Sequence, residues 1–195
     1  MCSSDLSDVE WCVDPIDGTT NYLYQRPDWA VSVAAMRRRD QRVLAAAVCE
    51  PILGRVTTAC CSGGTWSAGR RVRIQAKTSL DQALIEINLG REDQRGRAGA
   101  MIDALAAHSR DIRRGGSAAS ALAQVATGRA DAVWAPGLQA WDGAAGALLV
   151  HEAGGTVGDL AGPTPGRWPR SGDVLAAAPA LWAPLRRLLT PIYVD

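Results

Sequence analysis

Asp14 and Asp17 stand either side of Pro15 and Ile16, and Gly18, Thr19 and Thr20 follow directly. Pro15 fixes its own φ and biases Asp14 towards extended geometry, so the chain must turn sharply here and the two carboxylates converge. Converging carboxylates repel unless a cation sits between them. A hard divalent ion such as Mg²⁺ suits the place, because it prefers carboxylate, carbonyl and water oxygens, and the same turn can expose the Ile16 carbonyl. Gly18 lets a ligand approach the backbone closely, and free N–H groups at the start of a short helix over residues 19–25 suit an anion. Metal and phosphate sites would then lie side by side. The bland alternative is an Asx/Pro turn with solvated carboxylates.

The elements that must position these residues follow from hydrophobic spacing. Residues 9–13, Val-Glu-Trp-Cys-Val, read as a buried strand running into Asp14. Strands over 29–36, 43–50 and 55–60, joined by a charged turn at 37–40 and a Pro/Gly turn at 51–54, indicate an antiparallel meander. Gly63 to Gly69 closes it with Trp66 packing beneath, and 71–74 forms its last strand. The second part alternates: strand 83–89, amphipathic helix 98–107, a short extended piece 112–114, helix 118–127 capped by Ser117 and ended by Gly128, and strand 130–134. A helix over 143–153 with Asp142 at its start, a Gly/Pro-rich loop 154–172, strand 173–177 and helix 180–189 complete the order. Asp142 is thus presented where a negative charge is favoured. The expected fold class is α/β: one layered α/β domain over 1–195, with a meander part about 9–75 and an alternating part about 83–190.

Composition narrows the function classes. A chain of 195 residues with 47% hydrophobic residues can bury a real core, and a net charge of +1 provides no global field towards nucleic acid or membrane. The Arg37-Arg38-Arg39 run reads as a solvated hairpin tip. The first ten residues lack the basic and apolar regions of a signal peptide, and the longest apolar runs are too short to span a bilayer. Five cysteines, at positions 2, 12, 49, 60 and 61, form no CxxC pair and indicate neither disulfides nor zinc. They read as small buried or semi-buried residues in a reducing cytoplasm, with Cys2 the expected exposed exception. His108 and His151 sit in expected helices beside no motif, which speaks against a phosphohistidine mechanism.

Residues 11–22, WCVDPIDGTTNY, resemble the first signature of the inositol monophosphatase family of Mg²⁺-dependent, lithium-sensitive phosphatases. Residues 141–155, WDGAAGALLVHEAGG, resemble its second. The resemblance implies the family's layered α/β/α/β sandwich. It places Asp14, the Ile16 carbonyl, Asp17 and Asp142 on the family's metal ligands, for two or three Mg²⁺ ions per site. Thr19 with Asp17 falls on the catalytic positions, Thr19 being the residue whose hydroxyl helps orient and deprotonate the attacking water. Ile16, Asp17, Gly18, Thr19 and Asp142 fall around the bound phosphate, the Gly18 and Thr19 amides cradling it. Gly116, Ser117 and Ala118 match a Gly-Thr-Ala stretch lining the alcohol side of the pocket. The implied substrate is a small phosphorylated metabolite, inositol monophosphate or a related sugar or polyol phosphate, handled by a cytoplasmic homodimer with no nucleic-acid or membrane partner. Histidinol phosphate, fructose 1,6-bisphosphate and 3′-phosphoadenosine 5′-phosphate are the alternatives on the same fold.

Two departures accompany the match. Seven residues before Asp142, where inositol phosphatases commonly carry a glutamate that grips a ring hydroxyl, this chain has Ala135 followed by Pro136. The family also draws a further glutamate ligand and two long helices from residues preceding its first signature, and neither Asp8 nor Glu10 is placed to replace that ligand. The chain is therefore expected to be an N-terminally truncated copy without its first helical pair, with an apolar sheet face uncovered. Its own activity is open, and a non-catalytic fragment is the reading outside enzymes.

Overall fold

The computed structural model describes residues 8–194, so Cys2 lies outside the described residues. Strands β1 (Val9–Asp17), β2 (Ala30–Arg37), β3 (Arg42–Glu50), β4 (Arg55–Cys60), β5 (Gly64–Ser67) and β6 (Arg70–Val72) form one antiparallel sheet in sequential order. This is the expected meander. β1 is its edge strand and only half buried, against the expectation of a buried strand: Cys12 faces inward, while Trp11 is 69% exposed. Trp66 is likewise outside the meander and not beneath it, because the alternation along β5 turns it to the outer face. Across that face run Val13, Val33, Ala47, Thr58 and Trp66 in register. Cys60 ends β4 exposed, against the expectation of a buried or semi-buried residue.

Helix α1 (Thr19–Leu23) follows β1 directly. The second half contributes β7 (Leu84–Ile87), α2 (Ala98–His108), β8 (Asp111–Arg113), α3 (Ala118–Ala126), β9 (Ala132–Ala135), α4 (Ala140–Glu152), β10 (Thr156–Gly158), β11 (Val174–Ala177) and α5 (Pro179–Tyr193). The five strands form a mixed sheet in the order β10-β11-β9-β7-β8, parallel around β7 and antiparallel around β11. β10 was not expected; it arises inside the Gly/Pro-rich loop by pairing with β11. α5 runs past Pro191 to Tyr193, whose ring packs 5.0 Å from that of Trp134 and whose carbonyl accepts from Arg97 at 2.9 Å. These anchors compensate for the hydrogen bonds that the helix prolines cannot donate.

Side-chain periodicity sets the layers. In β9 and β11 alternate residues serve two cores. Val133, Ala135, Val174 and Ala176 face α3, α4 and the meander, whereas Ala132, Trp134, Leu175 and Ala177 face α2 and α5. Both faces of these strands are buried, as the continuous apolar runs require. The order is meander, α3 with α4, second sheet, α2 with α5. The inner helices are built from Ala and Gly, so they lie close. A methyl on Gly146 of α4 would stand 2.4 Å from Cβ of Leu122 on α3, and one on Gly143 would stand 2.6 Å from the Trp168 ring. Gly146→Val should therefore lower stability by about 1–3 kcal/mol in urea denaturation, through overpacking. Gly99→Ala, at an exposed helical position with nothing near, should raise it by about 0.5–1 kcal/mol. Equal stability of the Gly146 variant and the parent would show that α3 and α4 are not in close contact.

Candidate active site

β1 does not end at Pro15; the strand continues to Asp17 by means of a bulge. Asp14 pairs with Ser32 and Asp17 with Ala30, so the partner strand advances two residues while β1 advances three. The sharp turn expected at Pro15 is this bulge, which re-aims successive side chains. The Asp14 carboxylate accepts from the Ile16 N–H at 2.9 Å, and the Thr19 hydroxyl donates to the Ile16 carbonyl at 3.2 Å. The carbonyl is thus held beside the hydroxyl that the family resemblance assigns to the attacking water.

Asp142 comes from the other half of the chain. It lies in the first turn of α4, whose cap is Gln139: its carboxylate accepts from the Gln139 N–H at 2.8 Å, a reciprocal capping arrangement. Carboxylate oxygens of Asp14, Asp17 and Asp142 all lie within 4.8 Å of one another. Asp17 is the most constrained. One of its oxygens accepts both the Ser117 hydroxyl at 2.6 Å and the Ala119 N–H at 2.7 Å, from the start of α3. Ser117 in turn caps α3 by accepting from the Ser120 N–H.

Burial pushes the Asp17 carboxyl up to about 6, against the downward pull of the Ser117 and Ala119 bonds, and Asp142 and Asp14 add like-charge repulsion. Burial also raises Asp142, with Asp14 contributing and the Gln139 N–H opposing. Three carboxylates this close, two of them raised by burial, form an all-oxygen donor set whose spacing suits Mg²⁺.

The Gly116 to Ala118 stretch is brought against this cluster. A methyl on Gly18, which has φ 91°, would stand 3.3 Å from Ser117 Cβ and 3.4 Å from the Gly116 carbonyl, so only glycine fits there. The Ser117 hydroxyl is engaged with Asp17 and Ser120, and the Ala118 side chain is packed in the core. The side chains of Ser117 and Ala118 are therefore spent within the fold. α1 has only five residues, so its dipole adds little, and the Gly18 and Thr19 N–H groups matter as individual donors.

Asn21 was not singled out from the sequence. It is buried in α1 and its amide donates to the carbonyls of Asp28 and Gly115, tying the first motif to the Gly116 segment. No spacing rule could have paired it with a residue 94 positions away. Ala135 is fully buried, so the wall where a glutamate would stand offers no polar side chain. Asp8 and Glu10 face Arg39 and Arg38 near the opposite end of β1 from Asp17, away from the cluster. His108 caps its own helix turn through the Ala104 carbonyl, and His151 lies beside Gly166; neither joins the site.

The model of the inositol monophosphatase family matches residues 3–191. The chain belongs to the inositol monophosphatase family. It is 40% identical over 164 residues to the Nus factor SuhB of Pseudomonas aeruginosa, a match covering 82% of this chain and 60% of that protein. To the inositol-1-monophosphatase of Mesorhizobium japonicum it is 40% identical over 159 residues, covering 80% and 59%. Of the solved structures, the extragenic suppressor protein SuhB of Bartonella henselae superposes with a TM-score of 0.87 at 34% identity, covering 95% of this chain and 70% of that one. The inositol monophosphatase of Anabaena gives 0.85 at 28% identity, covering 94% and 75%. The layered α/β fold is thus that of the family. The chain spans about 60% of the length of the curated relatives it matches.

The raised Asp17 value fixes a pH dependence. An unfolded aspartate titrates near about 3.9, so the folded metal-free chain binds this proton more tightly, and its contribution to stability is full below about pH 4 and lost as pH rises towards 6. In metal-depleted buffer the urea midpoint should therefore fall between about pH 4.5 and about pH 6.5 by more in the parent than in Asp17→Asn, which keeps an acceptor for Ser117. Identical pH profiles would mean that Asp17 is not buried as described.

Proposed function

We propose that this protein is a Mg²⁺-dependent phosphatase that hydrolyses a small phosphomonoester of the sugar or polyol phosphate class, inositol monophosphate included. The observation that carries this reading is the convergence of Asp14, Asp17 and Asp142 beside Thr19 and Gly18. Relatives named as inositol-1-monophosphatases support it. Asp14, Asp17 and Asp142, with the Ile16 carbonyl, would hold the metal, two or three ions in all. When bound, Mg²⁺ supplies neutralisation of phosphate charge, activation of water and stabilisation of the leaving alkoxide.

The remaining work falls to the chain's own groups. The Gly18 and Thr19 N–H groups bind phosphate oxygens and orient the ester. Thr19 Oγ1, held by its bond to the Ile16 carbonyl, positions the attacking water by accepting a hydrogen bond from it. Ser117 and Ala119 hold Asp17 in one orientation through a single oxygen, leaving the other available to a metal. The apolar wall at Ala135 and Pro136 gives no side-chain grip on a ring hydroxyl, which favours a substrate recognised mainly through its phosphate over one read at its ring. Histidinol phosphate, fructose 1,6-bisphosphate and 3′-phosphoadenosine 5′-phosphate remain the alternatives that a substrate panel separates. We place the protein in the cytoplasm as a homodimer without nucleic-acid or membrane partners; no helix among the described residues is long and apolar enough to cross a membrane.

Asp14→Asn and Asp142→Asn should abolish calorimetric Mg²⁺ binding while the fold persists, since removing a carboxylate relieves repulsion. Thr19→Ala should lower kcat about 100-fold with KM nearly unchanged, and Thr19→Ser should keep much of the rate. Mg²⁺ binding without turnover on any phosphomonoester would favour the non-catalytic reading, and undiminished Mg²⁺ affinity in both asparagine variants would refute the metal site.

A further inference from the structure

A cavity of about 580 Å³ opens between the turn joining β2 to β3 and the loop joining β10 to β11, and no residue of the aspartate site lines it. Its walls carry Arg39, Asp40 and Gln41 from the turn and Asp159, Arg167 and Arg170 from the loop, over the buried Trp168. Backbone bonds join the walls: Trp168 N–H donates to the Gln41 carbonyl at 3.0 Å, and Val43 N–H to the Gly166 carbonyl at 3.1 Å. Pro163, Pro165 and Pro169 stiffen the loop further. The arginines therefore project from a constrained frame.

The charge balance is the informative part. Both carboxylates are already satisfied. Asp40 accepts from Arg37 through both oxygens, at 2.9 and 2.6 Å. Asp159 accepts from the Ala161 and Gly162 N–H groups and from the Ser171 hydroxyl, at 2.9, 3.2 and 2.8 Å. Arg39 makes a contact of 3.3 Å with Asp8, with most of its side chain exposed. The guanidinium groups of Arg167 and Arg170 make no ion pair among the described residues, although the Arg167 charge adds to the pull that Arg37 exerts on Asp40. Two planar, permanently charged forks with unspent donors, and a third held only at the surface, face one concavity of small-molecule size.

We propose that this cavity is a second anion site, which takes a small ligand bearing a pyrophosphate or two phosphate groups and needs no metal. Arg167 and Arg170 grip the phosphate oxygens through bidentate, charge-assisted bonds, and Arg39 adds long-range attraction. A single phosphate would engage one fork, whereas a diphosphate can engage both. Nothing in this assignment depends on catalysis at the aspartate cluster.

The test is titration of sodium pyrophosphate into the full chain by calorimetry, in low-salt buffer depleted of metal over a chelating resin. The parent should bind at one site. Arg167→Ala with Arg170→Ala should weaken binding at least about tenfold, for the loss of two charge-assisted contacts, and Asp14→Asn should leave it unchanged. Arg170→Gln alone should weaken it less, and provides a milder variant should the double one fold poorly, with thermal melting as the control. The proposal fails if the parent does not bind, if the arginine variants bind as the parent does, or if Asp14→Asn is equally impaired. It also fails if a short single-stranded oligonucleotide competes at far lower concentration than pyrophosphate, because the site would then be part of a polyanion track.

Discussion

A buried carboxylate that bonds across the molecule is the constraint on which the rest of this structure depends. Asp17 ends the first strand, yet both of its hydrogen-bond donors, Ser117 and Ala119, arrive from 100 and 102 residues further along. Those bonds orient Asp17 and weld the meander to the start of α3. They do not overcome the cost of burying its charge, because the carboxyl remains raised to about 6. Burial of Asp17 is thus held at the expense of stability. A second weld, the Asn21 amide between Asp28 and Gly115, keeps the glycine segment from drifting under that strain.

Bringing Asp142 to Asp14 imposes the second condition, a thin middle layer. α3 and α4 must lie between two sheets and still deliver the first turn of α4 to the bulge of β1. Leucine-rich helices would stand too far apart. Alanine and glycine on the facing sides let the backbones approach, and leucines such as Leu122 and Leu148 fill what remains. On the far side of the second sheet, where no site must be reached, the core returns to large residues: Met101, Leu105, Trp134, Leu181 and Leu185. Residue size across the layers therefore follows distance from the carboxylates.

Much of this was legible in the sequence because it is local. The strands of the meander, the existence of β9 and β11, the Ser117 cap and the convergence of Asp14 with Asp17 all follow from spacing within a dozen residues. Helix starts were read with less success: α4 begins three residues before the expected position because Asp142 sits inside the first turn, bonded back to Gln139. What spacing does not encode is partnership at a distance. The Ser117 hydroxyl reads as a helix cap, and only the fold shows that it also holds Asp17. Exposure fails for the same reason. Trp11 and Trp66 look like core residues by type, but whether a strand face is covered depends on what packs over it. β10, three residues in a glycine-rich loop, exists only because β11 offers it an edge.

The Trp168 ring rests on Gly143, the residue after Asp142, and the same tryptophan forms the floor under the arginine-lined cavity. A ligand on one side and a cation on the other would consequently act on a single rigid indole. Thermodynamic linkage makes any such influence mutual: if occupation of the cavity shifts the affinity of the carboxylates for metal by some factor, metal must shift the affinity of the cavity by the same factor. With glycine at position 143 there is no side chain to absorb a displacement of the ring, so the contact couples helix and loop stiffly. The glycine that lets α4 come close enough to deliver its aspartate is also the point at which that helix meets the floor of the cavity.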